Sequence, residues 1–177
     1  MRTIVKATFI IAFFFSISLL YANGIREEYN SRHHVKDANF YNERGLEYFN
    51  NEEYEQAIAD FTQAILLEPD NAEFYYNRGE AYHYKKDYIS AINDHTSAIQ
   101  RNPNNAIYYK DRGVNYACID DYILAIKDFN SAIQLNPNDT NFYYNRGTVH
   151  RWINEYDLAI ADYSKSIQID PDNAKSY

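Results

Sequence analysis

Four glycines, Gly45, Gly79, Gly113 and Gly147, stand 34 residues apart, and so do four prolines, Pro69, Pro103, Pro137 and Pro171. Each interval repeats one pattern: an aromatic, Arg-Gly, an aromatic or His, an Ala-Ile pair, an Ala-Ile or Ser-Ile pair, and the closing Pro. A fixed period of this length predicts a solenoid, in which each unit buries its neighbour's apolar face. The functional question then becomes what the surface of such a stack can hold.

Two helices are legible within each unit. Counting from Ala38, Ala72, Ala106 and Thr140, positions 4, 7, 8 and 11 share one helical face. They are Tyr41, Arg44, Gly45 and Tyr48 in the first unit and Tyr143, Arg146, Gly147 and His150 in the last. Positions 20, 24, 27 and 28 mark a second helix through Ala57, Phe61, Ala64 and Ile65. Proline then stops it, and Asn or Asp residues turn the chain into the next unit.

A glycine inside a helix costs about 1 kcal/mol relative to alanine. Position 8 therefore marks a close approach, with the aromatic at position 24 packing over the missing side chain. Positions 7 and 23 are uniform, with Arg44, Arg78, Arg112 and Arg146 facing Asp60, Asp94, Asp128 and Asp162. They are expected to pair within or between units, with the arginine stems lying on neighbouring aromatics.

This order of aromatic, Gly, Tyr, Ala, Phe, Ala and Pro at a 34-residue period resembles the tetratricopeptide repeat family. The resemblance covers residues 38–173, as four units over 38–71, 72–105, 106–139 and 140–173. It implies an all-α, right-handed superhelical solenoid of antiparallel helix pairs, with a concave groove lined by the first helices. It also implies a non-catalytic scaffold that holds a protein or peptide partner. Position 7 departs from the family, whose usual Leu is Arg in every unit here.

On the same resemblance the groove is lined by positions 2, 5, 9, 12 and 13. Tyr76, Tyr84, Tyr144 and Trp152 are then its apolar anchors, and its polar contacts are Lys110 and Arg151, joined by Asn77 and Asn145 at position 6. Tyr and Trp suit this role because they offer large area at low entropic cost. Members that grip the acidic tails of chaperones place Lys and Asn at positions 5 and 9 of one unit. They add Asn at position 6 of the next unit, then Lys and Arg at positions 2 and 6 of a third. Here Asn42, Leu46, Ile107 and Asp111 occupy four of those places and only Asn77 matches. Such a clamp is not expected.

Composition narrows the field further. With 17 Lys and Arg against 25 Asp and Glu, the net charge is −8. That balance is a poor match for nucleic acid, whose affinity comes from cations neutralising phosphates. Cys118 is the only cysteine, so no intramolecular disulfide is open to the chain. His95 and His150 fall on core positions, and His83 faces the groove without a companion. No phosphate loop, cysteine pair or metal-spaced cluster occurs, and His33-His34 alone make a weak metal site. Neither enzyme activity nor a cofactor is expected.

The two ends differ from the repeats. Arg2 and Lys6 precede the apolar run Ala7–Leu20, the layout of a secretory signal over residues 1–22. Cleavage and retention as a membrane anchor both remain open, and either places the repeats outside the cytosol. Residues 23–37 read as a tether, and 174–177 begin an incomplete fifth unit. The last helix would then leave Tyr163 and Ile167 uncovered, with Asp162, Lys165 and Gln168 solvating its end. That face is the alternative site of function, allowing a homodimer or a place in an envelope assembly.

Overall fold

The computed structural model describes residues 36–171. The leader, most of the tether, the His33-His34 pair and the start of a fifth unit lie outside these residues. The described chain is all α-helix in consecutive antiparallel pairs: α1 (Ala38–Asn50), α2 (Tyr54–Leu67), α3 (Ala72–Tyr84), α4 (Tyr88–Arg101), α5 (Ala106–Cys118), α6 (Tyr122–Leu135), α7 (Thr140–Trp152) and α8 (Tyr156–Ile169). Each helix packs on the one before it and the one after it.

Local chemistry sets the helix ends. Asp37, Asn71, Asn105 and Asp139 each accept a backbone N–H in the opening turn of the first helices, satisfying donors that the helix itself leaves orphaned. Between the helices of a pair the chain reverses at Glu52, Lys86, Asp120 and Asn154, whose φ angles lie between 61° and 64°. The next residue closes the turn: Glu53, Asp87, Asp121 and Glu155 donate their N–H to Tyr48, Tyr82, Tyr116 and His150. This left-handed cap with its six-to-one bond recurs at every pair.

The core follows the period. Ala57, Ala91, Ala125 and Ala159, with Ala64, Ala98 and Ala132, are almost fully buried and bring the helices of a pair together. The position-24 ring lies over the glycine of its partner helix. A Cβ on Gly45 would stand 2.7 Å from Phe61 Cε1, and one on Gly79 would stand 2.6 Å from His95 Cδ2.

The uniform arginines and aspartates pair within each unit. Arg44, Arg78, Arg112 and Arg146 each donate Nε and Nη2 to the two carboxylate oxygens of Asp60, Asp94, Asp128 and Asp162. Each guanidinium also lies 5.6–5.9 Å from the centre of the position-4 tyrosine ring. The third nitrogen reaches back sixteen residues: Nη1 of Arg78, Arg112 and Arg146 donates to Thr62, Thr96 and Asn130 of the preceding unit. One side chain thus closes its own helix pair and ties it to the previous one. Burial disfavours the charge on Arg78 and Arg112, but the aspartate more than offsets it and their pKa values rise. This bidentate geometry suits a planar fork and not an ammonium.

Asp162 is a correction. It is buried against Arg146 and does not solvate the end of α8.

Candidate binding surface

Two cavities open between consecutive first helices, and both are built from equivalent repeat positions. One, of about 200 Å³, lies between α1 and α3 and is lined by Leu46, Phe49, Phe61, Tyr76, Asn77, Glu80 and Tyr84. The other, of about 80 Å³, lies between α5 and α7 and is lined by Val114, Ala117, Cys118, Phe129, Asn145, Thr148, Val149 and Trp152. Their floors are the position-24 rings of Phe61 and Phe129.

The junction between α3 and α5 is filled by a polar cluster instead. His95 replaces the floor phenylalanine and is wholly buried. Asn115 Nδ2 lies 2.8 Å from the Asp111 carbonyl and 3.3 Å from His95 Nδ1, while Asn115 Oδ1 lies 2.8 Å from His83 Nδ1. With both amide hydrogens so used, His83 carries its proton on Nδ1 and His95 on Nε2. His95 Nε2 lacks a hydrogen-bond partner, and the nearest carboxylate oxygen, Glu80 Oε1, stands 3.4 Å away. Tyr76 donates its hydroxyl to Asp111 across 3.1 Å, and Lys110 Nζ pairs with the same carboxylate. Burial, then the nearby charge of Glu80, pushes the Asp111 pKa up, and Lys110 opposes the shift. Burial likewise drives the Tyr76 phenol upward, with Asp111 adding to it.

The expected groove residues therefore divide by how much of them is free. Tyr76 is half-buried, stacked at 5.6 Å on His95 and 5.0 Å from Tyr108, with its hydroxyl engaged. Asn77 Nδ2 donates to Asn42 Oδ1 at 2.9 Å, which ties α3 to α1. Lys110 is engaged by Asp111, and Tyr144 packs on Tyr163 with ring centres 5.6 Å apart. Asn145 lines the smaller cavity. Tyr84, Arg151 and Trp152 are exposed. Tyr84 stacks on Tyr54 at 5.6 Å and meets the edge of Phe49, forming one wall of the larger cavity. Trp152 leans on Tyr122 at 6.0 Å and walls the smaller one.

His83 is a second correction, since it has partners in Asn115, Tyr84 and Tyr88. Cys118 is not among these partners. The thiol sits beside the Tyr88 hydroxyl, and partial enclosure raises its pKa against that hydrogen bond. A raised thiol pKa is the opposite of an activated nucleophile.

Glu80 stands at groove position 9 and lines the larger cavity, but an acidic residue in one unit of four carried no periodic signal to mark it as a contact. One feature escaped the sequence reading. An apolar edge runs along the turns, where Ile89 is 59% exposed and Ile123 is 83% exposed, beside Ile119 and Ile153. Position 18 was its signal: it holds Ile in the second and third units, and Glu55 in the first, where Lys85 pairs with it at 2.7 Å. On α8, Leu158, Ile160 and Ile167 are exposed and Tyr163 is half-buried, its hydroxyl on Thr148. Among the described residues no group of three or more His, Cys, Asp or Glu could hold a metal ion. None of the described helices is long and apolar enough to cross a membrane.

Comparison with known proteins agrees with this geometry. The family model described as "TPR repeat" matches residues 45–85, and that described as "Tetratricopeptide repeat" matches 72–105 and 140–173. No curated protein sequence matches the chain. A crystal structure of MamA superposes with a TM-score of 0.75 at 21% identity, covering 84% of this chain and 86% of its own. MamA 41-end from Desulfovibrio magneticus RS-1 gives 0.75 at 19% identity, covering 80% of each chain. The first TPR of Spaghetti (RPAP3), bound to the HSP90 peptide SRMEEVD, gives 0.65 at 24% identity, covering 67% of this chain and 94% of its own. Residues 106–139 fall outside the family matches but repeat the glycine-on-phenylalanine contact and the arginine–aspartate pair in full. With the period, the paired helices and the matched repeats in agreement, the chain belongs to the tetratricopeptide repeat family, whose domains typically mediate protein–protein interactions.

Proposed function

We propose that the protein is a non-catalytic scaffold that holds a segment of a partner protein between its first helices, outside the cytosol. The observation that carries this reading is the pair of cavities at equivalent repeat positions, each walled by an exposed aromatic, Tyr84 or Trp152. Rigid rings beside a preformed pocket supply contact area with little entropy to lose on binding. The export half of the reading rests on the charged and apolar leader alone.

The Spaghetti domain, of the same fold, is bound to a peptide ending Glu-Glu-Val-Asp. This chain places Glu80 in the wall of the larger cavity with Asp111 near it, so a partner of that charge is disfavoured.

The test is site-directed photo-crosslinking in the native compartment, with the reactive residue at Tyr84, at Trp152, or at Gln134 on α6. Adducts with the same partner from Tyr84 and Trp152, and none from Gln134, are expected. Equal labelling at Gln134 would sink the reading. Once the partner is in hand, Trp152→Ala should weaken its binding at least about tenfold without altering the helical signal.

A second reading is favoured by α8, whose Ile160 and Ile167 are 63% and 50% exposed. In it the protein is a structural subunit that associates through this helix.

A further inference from the structure

The groove reading proposed above leaves the chemistry of the partner open, and the polar cluster at the middle junction narrows it. Three carboxylates stand near this junction, and two of them are spent. Asp94 is held by both nitrogens of the Arg78 fork, and Asp111 is held by Lys110 and Tyr76. Glu80 differs. Among the described residues it pairs only with His95 Nε2, at 3.4 Å and without hydrogen-bond geometry, and that nitrogen is fully buried with no hydrogen-bond partner. The Glu80 carboxylate, 24% exposed, thus lines the larger cavity with no strong cation to hold it, and the buried N–H beside it is unpaired. Buried polar groups in native proteins are nearly always paired, and an exception calls for an explanation.

The cavities differ in size in a way that bears on what enters them. A cavity of about 150 Å³ admits a benzene ring, so the 200 Å³ cavity admits an aromatic side chain and the 80 Å³ cavity only a small aliphatic one. They are two first-helix steps apart, roughly 16–20 Å at ordinary helix spacing. An extended segment rises about 3.3 Å per residue, so the two side chains lie about five or six residues apart. Arg151, exposed beside Trp152, marks the far end with the opposite sign. The charge preference is therefore local to the Glu80 end, while the net charge of −8 favours the approach of a cation.

We infer that the inner surface selects an extended protein segment with an aromatic side chain for the larger cavity, a neighbouring lysine or arginine for Glu80, and a small aliphatic residue about six positions away for the smaller cavity. The added cation draws the Glu80 carboxylate into a charge-assisted bond. Because the cation is met by one carboxylate and not by a clamp, its contribution is sensitive to salt.

A displayed library of random 12-residue peptides, selected on the full chain, on Glu80→Gln and on Glu80→Lys, tests the inference. The wild type should enrich an aromatic beside Lys or Arg, and Glu80→Lys should keep the aromatic and exchange its neighbour for Asp or Glu. A synthetic peptide of the enriched sequence should bind Glu80→Gln about tenfold more weakly, as loss of one charged hydrogen bond requires. Its binding should also change the fluorescence of Trp152, the only tryptophan. Melting curves of the variants confirm that they fold. An aromatic preference with no charge preference, or one that Glu80→Lys leaves unchanged, overturns the assignment of Glu80 and leaves the groove standing. Enriched peptides that bind Tyr84→Ala and Trp152→Ala as tightly as the wild type, or no enrichment at all, overturn the groove reading along with it.

Discussion

Gly45 and Gly147 hold the same place in their repeats but not the same space. A Cβ on Gly45 would overlap the ring of Phe61 at 2.7 Å, whereas one on Gly147 would stand 3.1 Å from Tyr163 Cε1 and Asp162 Cβ. Phe61 is fully buried and cannot retreat, while Tyr163 is only half-buried. Gly45→Ala is therefore expected to lower stability by about 1–3 kcal/mol through overpacking, despite its better helix propensity. Gly147→Ala should lie within about 1 kcal/mol of wild type, and urea unfolding of both compares them directly. Asp111 gives a second residue-scale prediction. Its carboxyl binds a proton more tightly in the folded chain than in the unfolded one. The fold thus gains stability from this group as pH falls towards the ordinary aspartate value, and loses it as pH rises through the raised one. Asp111→Asn should be the more stable protein above that window. A melting series across pH, subtracted from wild type, would be flat if the group is not perturbed.

At the scale of the element, the turns inside the helix pairs stand out. Four residues with φ near 63° are Glu, Lys, Asp and Asn, and none is glycine. A left-handed residue with a side chain costs about 1–2 kcal/mol, which glycine avoids at some cost in unfolded-state entropy. Lys86 is exposed and joins the turn through its backbone N–H, which donates to the His83 carbonyl. Lys86→Gly should raise stability by about 0.5–1 kcal/mol, read as a higher melting temperature; no rise would mean that the turn is held by more than its caps. Helix starts are the opposite case, because Asn71, Asn105 and Asp139 advertise themselves as caps two residues after proline.

The whole molecule is a stack joined by contacts between neighbours, and arginines that each grip two units make those joints uniform. Arg44 is the exception in having no described unit before it, and its side chain is 35% exposed against 17–22% for the other three. The other end of the described stack carries the exposed isoleucines of α8. If the second reading holds, Ile160→Asp should convert an associated form to monomer, seen by light scattering over a concentration series; a wild type that is monomeric throughout excludes it. The helix pairs, the arginine–aspartate pairs and the glycine contacts were legible because the repeat writes each of them four times at fixed offsets, and each follows from periodicity and residue size. The binding surface was legible only as a set of positions. Tyr76, Asn77 and Lys110 share those positions with Tyr84 and Trp152, yet the first three spend their polar groups on Asp111 and Asn42. For Tyr76 and Asn77 the partner lies in the adjoining unit and for Lys110 it is the next residue, and a period, by construction, does not report how units differ. The sequence by itself thus determined the repeat, its core and its joints. Only the tertiary structure decided that the middle junction is closed by a polar cluster, that two unequal cavities flank it, and that Glu80 lines the larger one with no lysine or arginine to hold it. The reason is that burial and pairing across units arise from three-dimensional contact between residues about 34 positions apart.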